Sequence, residues 1–218
     1  MRLFILGATG PSGIELVRRA FQVHPDCTIV VYVRSPNKLP DDIQKNPSVT
    51  IVKGNLDELD KVDQALEGVD AVLSALGPIP GQVGIKPIAT FYGHLIDLLY
   101  KHNIKRFIPT STASFPAPED KRNWKFSLIV GMVHTFMKDM YNEVVEIGRV
   151  VTTKGADLDY TIVRVAVLTN ADSDAVAAGY IGDPRIGLML ARKAYAAFCI
   201  DELEKRRWVK KVPAISNA

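Results

Sequence analysis

Three glycines recur at every third position near the start of the chain, in Gly7-Ala8-Thr9-Gly10-Pro11-Ser12-Gly13-Ile14. Such spacing can cradle a diphosphate. The first glycine permits a tight turn, the second lets the main chain approach a pyrophosphate, and the third lets the next helix pack against the preceding strand. The helix start then offers unbonded N–H groups and a partial positive charge to the anion. A glycine-rich connection with no ligand has the same letters, so the flanking segments decide between the two. No Gly-Lys-Ser/Thr follows, which excludes a Walker-type phosphate loop. About 20 residues further on stands Arg34, where an NAD site favours an acidic residue for the ribose hydroxyls and a 2′-phosphate needs a cation. Arg34 brings a bidentate fork, and Ser35 and Lys38 add a hydroxyl and a second charge. These three residues point to NADP(H); the alternative is a solvated arginine closing a strand.

The elements around these residues set their meaning. Arg2–Leu6 is an apolar run leading into the glycines, and Ile14, Val17, Ala20 and Phe21 follow at helical spacing. Further strands are expected at Thr28–Val33, 49–52, 70–75, 106–109 and 160–165, with a last one at 208–212. Helices are expected at 56–66, 87–102, 135–153 and Arg192–Lys205. Apolar strands alternating with helices predict a single-domain Rossmann-like doubly wound parallel sheet with helices on both faces. Residues 77–86 and 114–123 fit neither pattern. Both follow strands at the edge of the sheet where ligands bind.

Composition narrows the function classes. The chain has 218 residues, 47% hydrophobic and 23% charged, enough to bury about 70% of its unfolded surface in one domain. This excludes wholesale disorder, collagen and coiled coil. With 27 basic and 24 acidic residues the net charge is +3. The cluster Lys205-Arg206-Arg207 with Lys210-Lys211 reads as a solvated helix end rather than a nucleic-acid patch. No apolar stretch reaches about 18 residues, so no membrane span is expected. Cys27 and Cys199 each sit in an apolar segment, which reads as buried free thiols in a reducing, cytoplasmic setting. A core strand at residues 2–6 leaves no room for a cleavable leader. No metal site is read.

Taken in order, GATGPSG, VYVRSPNKL, KGNLDELD, VLSALG, RFIPTSTAS and DYTIVRVAVL resemble the atypical short-chain dehydrogenase/reductases. Within these the chain is similar to the NmrA-like, NAD(P)H-binding group that includes small flavin and biliverdin reductases. The likeness covers about residues 1–170. It implies that Asn55 and Leu56 line the adenine, that Ala75, Leu76 and Gly77 pass under the ribose, and that Ser111 stands beside the nicotinamide. It also implies a contact from Val165 and Ala166, where many relatives carry proline. The wider superfamily uses a Tyr-x-x-x-Lys helix, whose lysine acidifies the tyrosine. Here Tyr141 falls on the matching helix, but Val145 stands four residues later. Lys138 lies on a neighbouring helical face, and His134 just upstream could hold a proton near neutral pH.

The expected protein is an NADP(H)-dependent oxidoreductase acting on a small, largely apolar or conjugated substrate, with Ser111 and Tyr141 as catalytic residues. Its cleft is built from loops 77–86, 114–137 and 165–187, with Val130, Met132, Val133, Phe136 and Met137 supplying apolar lining. No nucleic acid or membrane partner is expected, and the chain would act as a monomer or homodimer. Two alternatives remain: a redox-sensing NADP-binding regulator without turnover, and a non-redox isomerase or cyclase.

Overall fold

The computed structural model describes residues 1–79, 81 and 84–218. Pro80, Gln82 and Val83, within the expected loop 77–86, lie outside the described residues. In chain order the elements are β1 (Arg2–Leu6), α1 (Pro11–Val23), β2 (Thr28–Val33), α2 (Asp41–Gln44), β3 (Val49–Lys53), α3 (Leu59–Ala65), β4 (Ala71–Ser74), α4 (Pro87–Lys101) and β5 (Arg106–Thr112). There follow α5 (Trp124–Phe136), α6 (Lys138–Thr153), β6 (Asp159–Tyr160), β7 (Val163–Val165), β8 (Val167–Thr169), β9 (Val176–Gly179), β10 (Met189–Ala191), α7 (Arg192–Lys205) and β11 (Ala214–Asn217).

The main sheet runs β3-β2-β1-β4-β5-β7-β11-β9, with β6 also on β5. Every pair is parallel except β11 with β9. This is a doubly wound, Rossmann-like α/β fold. The period-2 alternation of the strands feeds two cores. Leu3, Ile5, Ile29, Val31 and Leu73 face α1 and α7, while Phe4, Leu6, Val30, Val72 and Phe107 face α3, α4 and α6. Both faces are covered, so the strands read as unbroken apolar runs. α7 crosses back from the end of the chain to pack on α1, and Ala194, Tyr195, Phe198, Cys199 and Ile200 join the first core. Both thiols are buried and free. Burial pushes that of Cys199 up to about 12.

Five expectations need correction. The helix expected at 135–153 is two helices that break at Met137, whose ψ of 46° is not helical. α5 was missed altogether, although Asn123 caps it by accepting hydrogen bonds from the N–H groups of Lys125 (3.1 Å) and Phe126 (3.4 Å). The strand expected at 160–165 is interrupted between β6 and β7. The gap falls opposite Pro109, which has no N–H to give to the ladder. The last strand is not 208–212. Lys210 takes a left-handed backbone (φ 57°) and the Lys211 N–H turns back to the Trp208 carbonyl, so the chain extends only after Pro213, as β11. Finally, β5 runs on to Thr112, which places Ser111 inside the strand rather than after it.

Candidate functional site

A cleft of about 570 Å³ opens at the carboxyl ends of β1, β2, β3 and β4. Its rim begins with the glycine turn. Gly7 has φ +77°, and a side chain there would press against the Ala75 backbone at 2.9 Å. A Cβ on Gly13 would lie 2.2 Å from the Gly7 carbonyl, so α1 packs on the turn only because that atom is missing. Gly10 differs. Its would-be Cβ meets only the Gly7 carbonyl at 3.4 Å, leaving open space above it. Gly10 caps α1 without a side-chain bond, Pro11 occupies the first turn, and no acidic side chain stands there. Ser12 and Gly13 therefore bring N–H groups without a helical partner to this end, a site suited to an anion.

The opposite wall carries Tyr32, Arg34, Asn55 and Leu56. The Tyr32 hydroxyl donates to the Asn55 carbonyl at 2.8 Å. Burial, then the charges of Glu58 and Asp57, push it up to about 12, so it stays a donor. Gly54 is required above it, since a Cβ would sit 2.0 Å from that hydroxyl oxygen. Arg34 is exposed, and among the described residues no carboxylate pairs with it. Ser35 and Lys38 lie on the short turn that follows, half-buried and exposed in that order. Leu76 and Gly77 form the third side, and the Leu76 N–H is held by Ser74 Oγ at 3.3 Å.

The fourth side is formed by Ile79, Ile85 and Lys86 of the expected loop 77–86, together with Ile88, Phe91 and His94 of α4, which sequence reasoning missed. α6 holds that wall through three acids one helical turn apart. Asp139 accepts from the Gly84 N–H (3.1 Å), buried Glu143 from the Ala89 N–H (2.8 Å), and Glu146 pairs with Lys86 (3.3 Å). The spacing 139, 143, 146 was a visible signal of one helix face.

The expected residues do not all meet. Gly7, Thr9, Arg34, Asn55, Leu56, Leu76 and Gly77 line the one cleft. Gly10, Pro11, Ser12, Gly13 and Ile14 form the adjoining cap and first turn of α1, and Ala75 lies behind Gly7. Val165, at the end of β7, stands away, paired with Thr112 and Ile215. Ser111 is 2% exposed, and its Oγ is buried with no hydrogen-bond partner among the described residues. Tyr141 is half-buried on α6, edge-on to the His134 ring at 4.8 Å between centroids. Neither lines the cleft. Loops 114–137 and 165–187 contribute nothing to it either. Residues from both line a separate cavity, and Met132 and Phe136 of α5 are exposed, as is Met137 at the break before α6.

The chain belongs to the NAD(P)H-binding family, whose profile matches residues 7–206. It is 30% identical over 127 residues to isoeugenol synthase 1 of Clarkia breweri, covering 55% of this chain and 36% of that protein. It is 40% identical over 76 residues to photosystem II assembly factor Ycf39 of Synechocystis, covering 34% and 22%. The chain thus matches well under half the length of these curated relatives. Among solved structures, a short-chain dehydrogenase/reductase from Veillonella parvula in complex with NADP superposes with a TM-score of 0.79 at 18% identity, over 99% of this chain and 94% of that one. The oxidoreductase ylbE from Lactococcus lactis gives 0.76 at 22% identity, over 100% and 91%. These likenesses are of fold.

Proposed function

We propose that the chain binds NADP(H) in this cleft and reduces a small, largely apolar or conjugated substrate of the carbonyl, quinone or flavin type. One observation carries the reading: the glycine turn and an arginine with no carboxylate partner among the described residues line the same cleft. The first turn of α1, from Gly10 through Ile14, holds the diphosphate. Arg34, with Ser35 and Lys38, takes the 2′-phosphate. Asn55 and Leu56 enclose the adenine over Tyr32. Ala75, Leu76 and Gly77 support the ribose, and Val165 stands at the far end. The bound cofactor supplies a hydride. The buried Ser111 hydroxyl orients the reacting group, which supplies the hydrogen-bond partner that a buried polar atom requires. Tyr141 gives the proton where the acceptor needs one. The buried thiols support a reducing, cytoplasmic setting, and among the described residues no helix is long and apolar enough to cross a membrane.

A second reading, a cofactor-binding regulator without turnover, is favoured by the position of Ser111 and Tyr141 outside the cleft. NADPH absorbance followed with a panel of quinones, flavins and aldehydes separates the two. Steady oxidation supports the reductase, and binding without oxidation supports the regulator. For the cofactor itself, a charge-assisted bidentate pair is worth roughly 1.5–3 kcal/mol. Arg34→Ala should therefore weaken NADPH about 10–150-fold and leave NADH nearly untouched in calorimetry. Equal losses would reject the assignment. Gly10→Val, with space for its side chain in the folded chain, should fold and lose both cofactors.

A further inference from the structure

A second cavity, of about 880 Å³, shares no residue with the cleft. It runs along β9, the last strand of the sheet, and is lined also by Lys121, Arg207, Trp208 and Lys211. We propose that it is a docking groove for an acidic, extended segment of another protein, which adds to β9 as one more strand.

The main chain makes the first half of the argument. Among the described residues β9 pairs only with β11, in the register Ala177↔Ser216 and Gly179↔Ala214. The bond from the Ala218 N–H to the Ala175 carbonyl shows which pairs are hydrogen-bonded. Because these alternate in an antiparallel ladder, Val176 and Ala178 direct their N–H and C=O groups away from β11, to the open edge. An edge of this kind is a template for an incoming strand, which gains main-chain hydrogen bonds there.

Charge chooses the occupant. Four cations line the groove, Lys121, Arg185, Arg207 and Lys211, against two acids, Glu119 and Asp183. Asp183 is engaged by Arg185 at 2.6 Å, and Glu119 accepts from the Tyr180 hydroxyl at 3.2 Å. Among the described residues, Lys121, Arg207 and Lys211 have no carboxylate partner. A second copy of the chain would bring the same cationic surface and be repelled. A nucleic acid would meet the charges but has no amide backbone to continue the ladder. An acidic strand satisfies both, and Lys211, which stands over the Trp208 ring at 5.8 Å, is held at the lining of the groove to meet it.

The test uses the full chain and a labelled peptide, Glu-Val-Glu-Thr-Glu-Val-Glu-Thr, read by fluorescence anisotropy, with NADPH affinity measured in parallel. Saturable binding is expected. It should fall at least about tenfold when Lys replaces Glu in the peptide, or when Arg207→Glu and Lys211→Glu are combined on the exposed rim. It should fall similarly when alternate peptide nitrogens are methylated, which keeps the charge and removes the donors. NADPH affinity should not change in the rim variant, so the groove and the cleft are tested separately. No saturation at millimolar peptide would overturn the proposal. So would methylated peptide binding as well as the parent, or a self-association in sedimentation that the rim variant strengthens by relieving repulsion.

Discussion

The two halves of the sheet are held by different means. In β3-β2-β1-β4 the side chains pointing to either face are almost wholly apolar, and Ser74 is the one fully buried polar residue of these strands. In β5-β7-β11-β9 the buried set includes four polar residues, Arg106, Ser111, Arg164 and Ser216. Arg164 on β7 is 1% exposed and grips Asp120 with two hydrogen bonds, of 2.6 and 2.8 Å. Arg106 on β5 bonds the Asp159 carbonyl, Thr161 Oγ1 and the Glu202 carbonyl, at 2.6 to 2.8 Å. The inner half is placed by the hydrophobic effect, which is non-directional and needs only the right period. The outer half is placed by pairs that must find particular partners, 44 residues apart for Arg164 and Asp120 and 96 for Arg106 and Glu202.

That difference can be broken most severely at Arg164. Arg164→Met should leave Asp120 without its cation and cost about 3–5 kcal/mol in urea unfolding. Leu73→Ala, buried in the inner half, should cost about 2–5 kcal/mol through transfer and cavity terms alone. Only the cost of the first, measured against the parent chain, should depend on pH. Burial pushes the Asp120 carboxyl up, but Arg164 and the N–H groups of Ala117 and Ile181 outweigh it and hold it below its ordinary value. A group lowered on folding contributes stability that is whole above the ordinary carboxylate range and lost as pH falls through the folded value. Urea midpoints followed downward through that range should therefore drop steeply for Leu73→Ala and less steeply for Arg164→Met. Parallel curves would mean that the pair does not hold the outer half.

The next effect is smaller and concerns chemistry. Ser111 is held in β5, while Tyr141 stands in the first turn of α6 without a lysine four residues on. On any accepted substrate at saturating NADPH, Ser111→Ala should lower kcat by at least about tenfold and Tyr141→Phe by less. The reverse order would require another group, such as Lys138, to activate the tyrosine. The smallest effect belongs to the exposed stripe of α5. Trp124→Ser and Phe136→Ser, at 73% and 82% exposure, should each change stability by no more than about 0.5 kcal/mol. A larger loss would mean that the stripe is covered.

The same contrast explains what could be read from the amino acids. The glycine turn and Arg34 were legible because strand, turn and helix there are local and periodic, whereas Asn55 was read only through the family resemblance. α1, α4 and α7 stand close to where the spacing placed them. Beyond β5 the strands shrink to two to four residues, too few to display a period. Their positions answer to Pro109, Lys210 and the buried arginines instead. The α4 part of the fourth wall escaped for a related reason: the start of that helix, with Ile88, is held by an acid on α6 more than 50 residues away.

The return of α7 onto α1 also sets the order in which the molecule can be completed as it is made. β1, β2 and β4 emerge from the ribosome early, yet the helix that shields one face of them lies about 130 residues further on. At synthesis rates of about 5–20 residues per second, that face waits roughly 7–26 seconds for its cover. During that interval Leu3, Ile5, Ile29 and Leu73 lack the apolar partners α7 will bring. Apolar surface left open in this way is prone to aggregation, and a stop codon anywhere before residue 192 would release a product without the α7 cover on one side of its first core.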